Sequence, residues 1–147
     1  MTGKKTRASR CALLLLVAVL ACDAGDKAPK VSLAQARADG KMVLLDFTGS
    51  DWCPWCIKFD HEVLETDQFA TYAQNKLELM LVDFPRAKLQ DDALKQANKA
   101  LGKKYNVDGY PTFVLVNYAG NELGRQVGYL EGGPSAFISK LEKFSSQ

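Results

Sequence analysis

Histidine is scarce in this chain: His61 is the only one among 147 residues, so no imidazole cluster exists to complete a zinc site. Long hydrophobic runs are missing as well. The longest, Ala12 to Ala21, has ten residues and would span roughly 15 Å as a helix, about half of a bilayer core. There is no internal repeat and no low-complexity stretch. Charge of one sign is not in excess, the formal net charge being +2. Even that small surplus is local, because Lys4, Lys5, Arg7 and Arg10 lie in the first ten residues with no acid among them. Setting residues 1–21 aside leaves 15 of the 19 basic side chains against all 17 acidic ones, a net charge of −2. A weakly acidic domain carries no electrostatic footprint for nucleic acid. What is present, 47% hydrophobic and 24% charged residues, is the composition of a globular protein and argues against disorder, a collagen-like repeat or a coiled coil. The length suits one domain with one core.

The first segment reads as an address. A basic stretch through Arg10, a short apolar run and an abrupt polar switch at Asp23 form the pattern of a secretory signal over residues 1–21. A buried N-terminal helix is the alternative, and four basic residues fit it less well. Val19-Leu20-Ala21-Cys22 also resembles the lipobox of bacterial lipoproteins. In that reading Cys22 becomes the lipidated N-terminus, and Asp23 resembles an inner-membrane retention signal. Ordinary cleavage after Ala21 or Ala24 competes with it. Residues 22–31 lack apolar periodicity and read as a tether to a folded domain over 32–147. The expected location is therefore the periplasm, with an inner-membrane anchor where Cys22 carries lipid.

Within the domain, Ser32 and Gly40 are candidate caps of a short helix over Leu33–Ala38. Met42 to Phe47 and Leu79 to Phe84 are short apolar runs, each holding one acid. Runs without alternation suit strands covered on both faces. A helical stretch over about 54–75 lies between them, broken near Thr66, which can cap its second part. Leu89, Ala93, Ala97, Ala100 and Leu101 predict a helix over about 89–104. Thr112 to Val116 is a strand, Tyr118 to Asn121 a turn, and Glu122–Tyr129 a partly exposed strand. Pro134 suits the first position of a final helix with Phe137, Ile138, Leu141 and Phe144 on its apolar face.

Cys53-Pro54-Trp55-Cys56 stands where the first strand gives way to a helix, and without Cys11 and Cys22 these are the only thiols of the domain. A C-x-x-C beside a β-α-β pattern is a redox signature. With Cys53 as N-cap, Pro54 takes the first helical position, where a missing N–H costs nothing. The N–H groups of Trp55 and Cys56 then point back at the Cys53 sulfur, and the helix dipole adds about half a positive charge. Both favour the Cys53 thiolate, the attacking form. Cys56, one turn inside, remains a thiol able to close the disulfide and expel a mixed-disulfide partner. Three other readings compete: a structural disulfide, whose tiny loop would constrain the unfolded chain little; half of a metal site; and a relic in a binding module. His61 lies five residues beyond Cys56, some 140° around the helix by geometry, and suits the surface better than a ligand role.

The order of motifs resembles the thioredoxin superfamily: Val43 to Phe47, then Trp52 through Cys56, then Gly109-Tyr110-Pro111-Thr112 and Gly120. The resemblance covers about residues 32–145. It is nearest to exported bacterial members related to the C-terminal domain of the transmembrane thiol:disulfide reductase. It implies an α/β fold of three layers, a central mixed sheet flanked by helices. It implies that Cys53 is the nucleophile, that Cys56 resolves, and that Pro111 is a cis-proline facing them. The backbone of Tyr110 would then pair with an extended substrate, and Trp52 would shield the sulfurs. Asp46 would be the buried acid beneath Cys56, its pKa raised, relaying a proton to or from that sulfur. Two departures stand out. Thr48 to Trp52 holds one residue more than a typical thioredoxin between this acid and the cysteines, and Pro54-Trp55 replaces Gly-Pro. Trp55 is a candidate peptide-contact platform.

The expected activity is thiol–disulfide exchange on protein or peptide disulfides, in the reducing direction, with no cofactor because sulfur carries the electrons. An oxidising compartment would require a membrane redox partner to recharge it. Oxidase or isomerase activity, a non-catalytic binding module and a metal carrier are the alternatives. The family's potentials span roughly −270 to −120 mV, so the motif alone does not fix the direction.

Overall fold

The structure is a computed structural model that describes residue 36 and residues 38–146. The signal-like segment, Cys22, the tether and the start of the expected first helix lie outside the described residues. The end of that helix is described. Ala36 and Ala38 are helical, Gly40 takes φ +66°, and the N–H of Lys41 returns to the carbonyl of Ala36 at 2.9 Å. This is the closure that glycine permits at a helix C-terminus.

Among the described residues four strands form one mixed sheet in the order β2-β1-β3-β4. They are β1 (Met42–Thr48), β2 (Leu77–Asp83), β3 (Thr112–Val116) and β4 (Glu122–Val127). β1 runs parallel to β2 and antiparallel to β3, and β3 runs antiparallel to β4. The helices are α1 (Pro54–Phe59), continued by a π-helical turn over Asp60–Leu64, then α2 (Asp67–Lys76), α3 (Asp92–Lys104) and α4 (Gly133–Ser145). Alternation along β1 divides the core. Leu44 packs with Phe59, Val63, Phe69, Phe113, Phe137 and Leu141, below α1, α2 and α4. Val43, Leu45 and Phe47 join Ala36, Val82 and Tyr105 on the opposite face, with Leu101 of α3 packed against them.

The expected three-layer α/β fold is what the chain forms. The break at Thr66 is real: its hydroxyl caps α2 by accepting the N–H of Phe69 at 3.3 Å. Several boundaries differ for identifiable reasons. The third helix begins at Asp92 rather than at 89, because Asp91 caps it by accepting the N–H groups of Ala93 and Leu94. Leu89 is left fully exposed outside it, and Ala93, Ala97 and Ala100 also face outward. The buried residue of α3 is Asn98, whose side-chain amide donates to the carbonyl of Asp83 at 2.8 Å and ties the helix to the end of β2. Of the expected apolar stripe only Leu101 packs on the core, and the polar Asn98 does the rest of the anchoring. β2 is only half covered, with Leu81 50% exposed, because it lies at the edge of the sheet. β4 ends at Val127 because Gly128 turns the chain at φ +75°. Pro134 is the second residue of α4, after Gly133.

Candidate active site

Cys53 leaves β1 through a short turn in which its N–H and that of Trp52 both return to the carbonyl of Gly49, at 2.9 and 3.1 Å. It takes extended backbone angles as the N-cap of α1, with Pro54 following at the first helical position. Its sulfur accepts the N–H of Cys56 at 3.2 Å, while no such bond comes from Trp55. Cys53 and Cys56 are joined as a disulfide with their Cα atoms 5.3 Å apart. Both are buried, Cys53 at 5% exposure and Cys56 at 1%. Cys53 is thus the slightly more exposed of two covered residues, in the order that an attacking and a resolving cysteine require.

Asp46 is 2% exposed and shares the β1 face of Leu44, the face that packs against Phe59 and Val63 in the segment begun by the cysteine pair. Among the described residues nothing donates a hydrogen bond to its Oδ1. Burial, reinforced by the negative charges of Asp60 and Asp83, holds its carboxyl well above the usual carboxylate range. No cation is among the causes of that shift. The longer loop after Thr48 has not turned Asp46 outward, because β1 stays paired with β2 and β3 at this position, to Leu81 and Phe113.

The peptide bond Tyr110–Pro111 is cis. Pro111 is buried, and its carbonyl accepts the N–H of Gly128 at 2.8 Å. Trp52 meets the Tyr110 ring edge-on, centroids 5.8 Å apart, and its indole N–H donates to the carbonyl of Phe84 at 2.8 Å. Trp55 is 56% exposed, and its ring partner is Tyr129 at 5.5 Å. The ammonium of Lys58 lies 4.6 Å from the Tyr129 ring and 5.6 Å from the Trp55 ring. The Tyr129 hydroxyl donates to Glu62. His61 is exposed, its Nδ1 within hydrogen-bonding distance of Glu65 Oε2 at 2.6 Å. Among the described residues no three His, Cys, Asp or Glu side chains converge to hold a metal ion.

Two features of the site were missed in the sequence. Asp60 follows Cys56 by four residues, where the helix loosens into its π turn. Partial burial, with Glu65 and Asp83 adding and His61 opposing, raises its carboxyl to about 6. The i, i+4 spacing from Cys56 was the available signal. The second is a set of contacts between residues 50–52 and 83–88, for which no pattern in the sequence gave notice.

A disulfide at a helix N-terminus, a buried unpaired acid on the adjoining strand and a cis-proline loop together define a thiol–disulfide exchange site on a thioredoxin fold. The family profile of the thioredoxin-like domain matches residues 29–145, and the chain belongs to that family. It is 37% identical over 111 residues to the disulfide bond reductase DsbH of Chlamydia pneumoniae, covering 76% of this chain and 66% of that protein. It is 29% identical over 116 residues to a thiol:disulfide interchange protein DsbD of Yersinia enterocolitica, of which it spans only 18%. The chain thus spans less than two thirds of these relatives. A solved DsbH oxidoreductase superposes with a TM-score of 0.74 at 31% identity, covering 97% of this chain and 94% of that one. A thioredoxin from Thermus thermophilus follows at 0.56 and 26%, covering 76% and 78%.

Proposed function

We propose that this protein is an exported disulfide reductase acting on protein or peptide disulfides. The observation that carries the reading is Cys53 at the N-cap of α1, its sulfur facing the N–H of Cys56, with a second, more covered sulfur within bonding reach. In the reduced protein the Cys53 thiolate attacks one sulfur of the substrate disulfide. A mixed disulfide forms, and the first substrate sulfur leaves as a thiolate that takes up a proton. Cys56 passes its proton to the Asp46 carboxylate and attacks the Cys53 sulfur, which releases the second substrate sulfur as a thiolate that takes up a proton. Two electrons have moved from the protein dithiol to the substrate. A membrane-borne dithiol on a redox partner restores the reduced pair.

Asp46 serves as proton acceptor in this scheme, and Asp60 as a positioning residue whose negative charge makes the Asp46 carboxylate a stronger base. Trp52, Tyr110 and Pro111 line the substrate groove, the backbone of Tyr110 pairing with an extended chain. Trp55, exposed beside the sulfurs, contacts the substrate from the helix side. The names of the relatives support the reducing direction, DsbH being a disulfide bond reductase.

The deciding experiment is the equilibrium of the Cys53/Cys56 couple against glutathione. A potential near the thioredoxin end, roughly −270 mV, is expected, and one near −120 mV would reassign the protein as an oxidase. Residues 1–21 direct export, and Cys22 carries the lipid that holds the domain at the inner membrane. Labelling of cells with a radioactive fatty acid should mark the wild type and not Cys22→Ala. Equal labelling of the two removes the anchor.

A further inference from the structure

We propose that residues 50–52 and 84–88 form a clasp that builds one wall of the substrate groove, with Asp51 the positioning residue that sets Arg86 over Trp52 for polypeptide substrates. The inference rests on the reductase reading and adds its specificity.

The carboxylate of Asp51 accepts three successive backbone N–H groups, from Arg86 at 3.0 Å, Ala87 at 2.7 Å and Lys88 at 2.8 Å. Ser50 binds the Asp83 carboxylate through its N–H at 2.9 Å and its hydroxyl at 2.6 Å, and the Lys88 ammonium donates to that hydroxyl at 3.0 Å. The indole N–H of Trp52 closes the set on the carbonyl of Phe84. These contacts join segments more than thirty residues apart in the chain. They also fix the backbone from which Arg86 projects.

The guanidinium of Arg86 lies 3.7 Å from the centroid of the Trp52 ring. That ring meets Tyr110, and Tyr110 packs on Phe84 at 5.3 Å. Arg86, Trp52, Tyr110 and Phe84 therefore make a continuous wall running from the turn before Cys53 to the residue before Pro111. The fit is close: a Cβ on Gly49 would lie 2.4 Å from the Trp52 indole. Asp51 and Arg86 touch neither sulfur. What the wall offers a substrate is a planar donor with five N–H groups stacked at the rim, suited to the carbonyls of an extended chain. A small disulfide reaches the sulfurs without meeting it. The backbone N–H groups hold the Asp51 carboxyl below the usual carboxylate range, so the clasp is intact throughout the neutral range.

The test uses the full chain at pH 7, with insulin and 2-hydroxyethyl disulfide as paired substrates. In both Asp51→Ala and Arg86→Ala, the ratio of insulin to hydroxyethyl disulfide kcat/KM should fall roughly five- to tenfold, the change carried by the KM for insulin. The double variant should be no worse than Asp51→Ala alone, because the two residues act as one unit. Arg86→Ala removes only an exposed side chain, so it reports even where Asp51→Ala folds poorly. Equal losses on the two substrates, an unchanged ratio, or additive losses in the double variant would overturn the wall. Turnover of either substrate by the wild type tests the reductase reading by itself, independently of that ratio.

Discussion

Cys53→Ser is expected to abolish disulfide reduction, with kcat/KM falling by at least ~10³-fold, whereas Cys56→Ser should attack once and stop as a covalent complex. The asymmetry follows from position. In the N-cap the Cys53 sulfur faces the N–H of Cys56 at 3.2 Å and the positive end of a helical segment that continues through the π turn to Leu64. Burial works against an anion there, so the hydrogen bond and the helix dipole must outweigh it. A serine hydroxyl in the same place ionises far too weakly to profit from either. Cys56 lacks that setting, being one turn inside at 1% exposure. Alkylation of the reduced protein at pH 7 should therefore modify Cys53 faster than a free cysteine and leave Cys56 nearly untouched. Mass spectrometry of Cys56→Ser with a disulfide substrate should show the trapped mixed disulfide. Retained activity in Cys53→Ser would instead support a binding module.

The cysteine site was legible because its physics is local. A proline after an N-cap cysteine, and a second cysteine one turn on, place both sulfurs from the spacing alone. The strand around Asp46 was legible as an apolar run without alternation, but the burial of its acid came only from the family resemblance: the similar run Leu79 to Phe84 leaves Leu81 half exposed and Asp83 partly buried. The cis bond at Tyr110–Pro111 was not carried by spacing; only the family resemblance pointed to it. Legibility failed where long-range contacts decide. Nothing around Asp91 or Asn98 signals that α3 is tied to the sheet by an amide on the Asp83 carbonyl rather than by its alanines. Nothing around Asp51 signals that its three hydrogen bonds go to residues 86–88. A turn-forming aspartate and a loop-closing one look alike until the fold brings the second loop to it.

Asp46→Asn separates the proton-acceptor role proposed for this carboxyl from its effect on the fold, and the two should move in opposite directions. Turnover should fall by roughly 10²-fold at pH 7, because the resolving thiol loses its proton acceptor. The loss should lie in the release of the mixed disulfide, followed in a single turnover, and not in the first attack by Cys53. Stability should rise. Burial, Asp60 and Asp83 raise the Asp46 pKa in the fold above its unfolded value of 3.8, so the fold prefers the neutral acid. The contribution of that acid to stability is complete below about pH 4 and is lost as pH rises through the folded pKa. Asparagine is neutral at every pH and removes that loss. Asp60 acts with the same sign over the window from 3.8 to about 6. Thermal unfolding of the oxidised wild type should therefore show a Tm that declines from pH 4 towards neutrality. In Asp46→Asn the Tm at pH 7 should be higher, and the remaining decline confined to the Asp60 window. An acid that served only the fold would leave resolution of the mixed disulfide untouched, and one satisfied by an undetected cation would make the asparagine variant less stable at pH 7. Slower resolution together with a higher Tm is the result that a proton relay held in an unfavourable place requires.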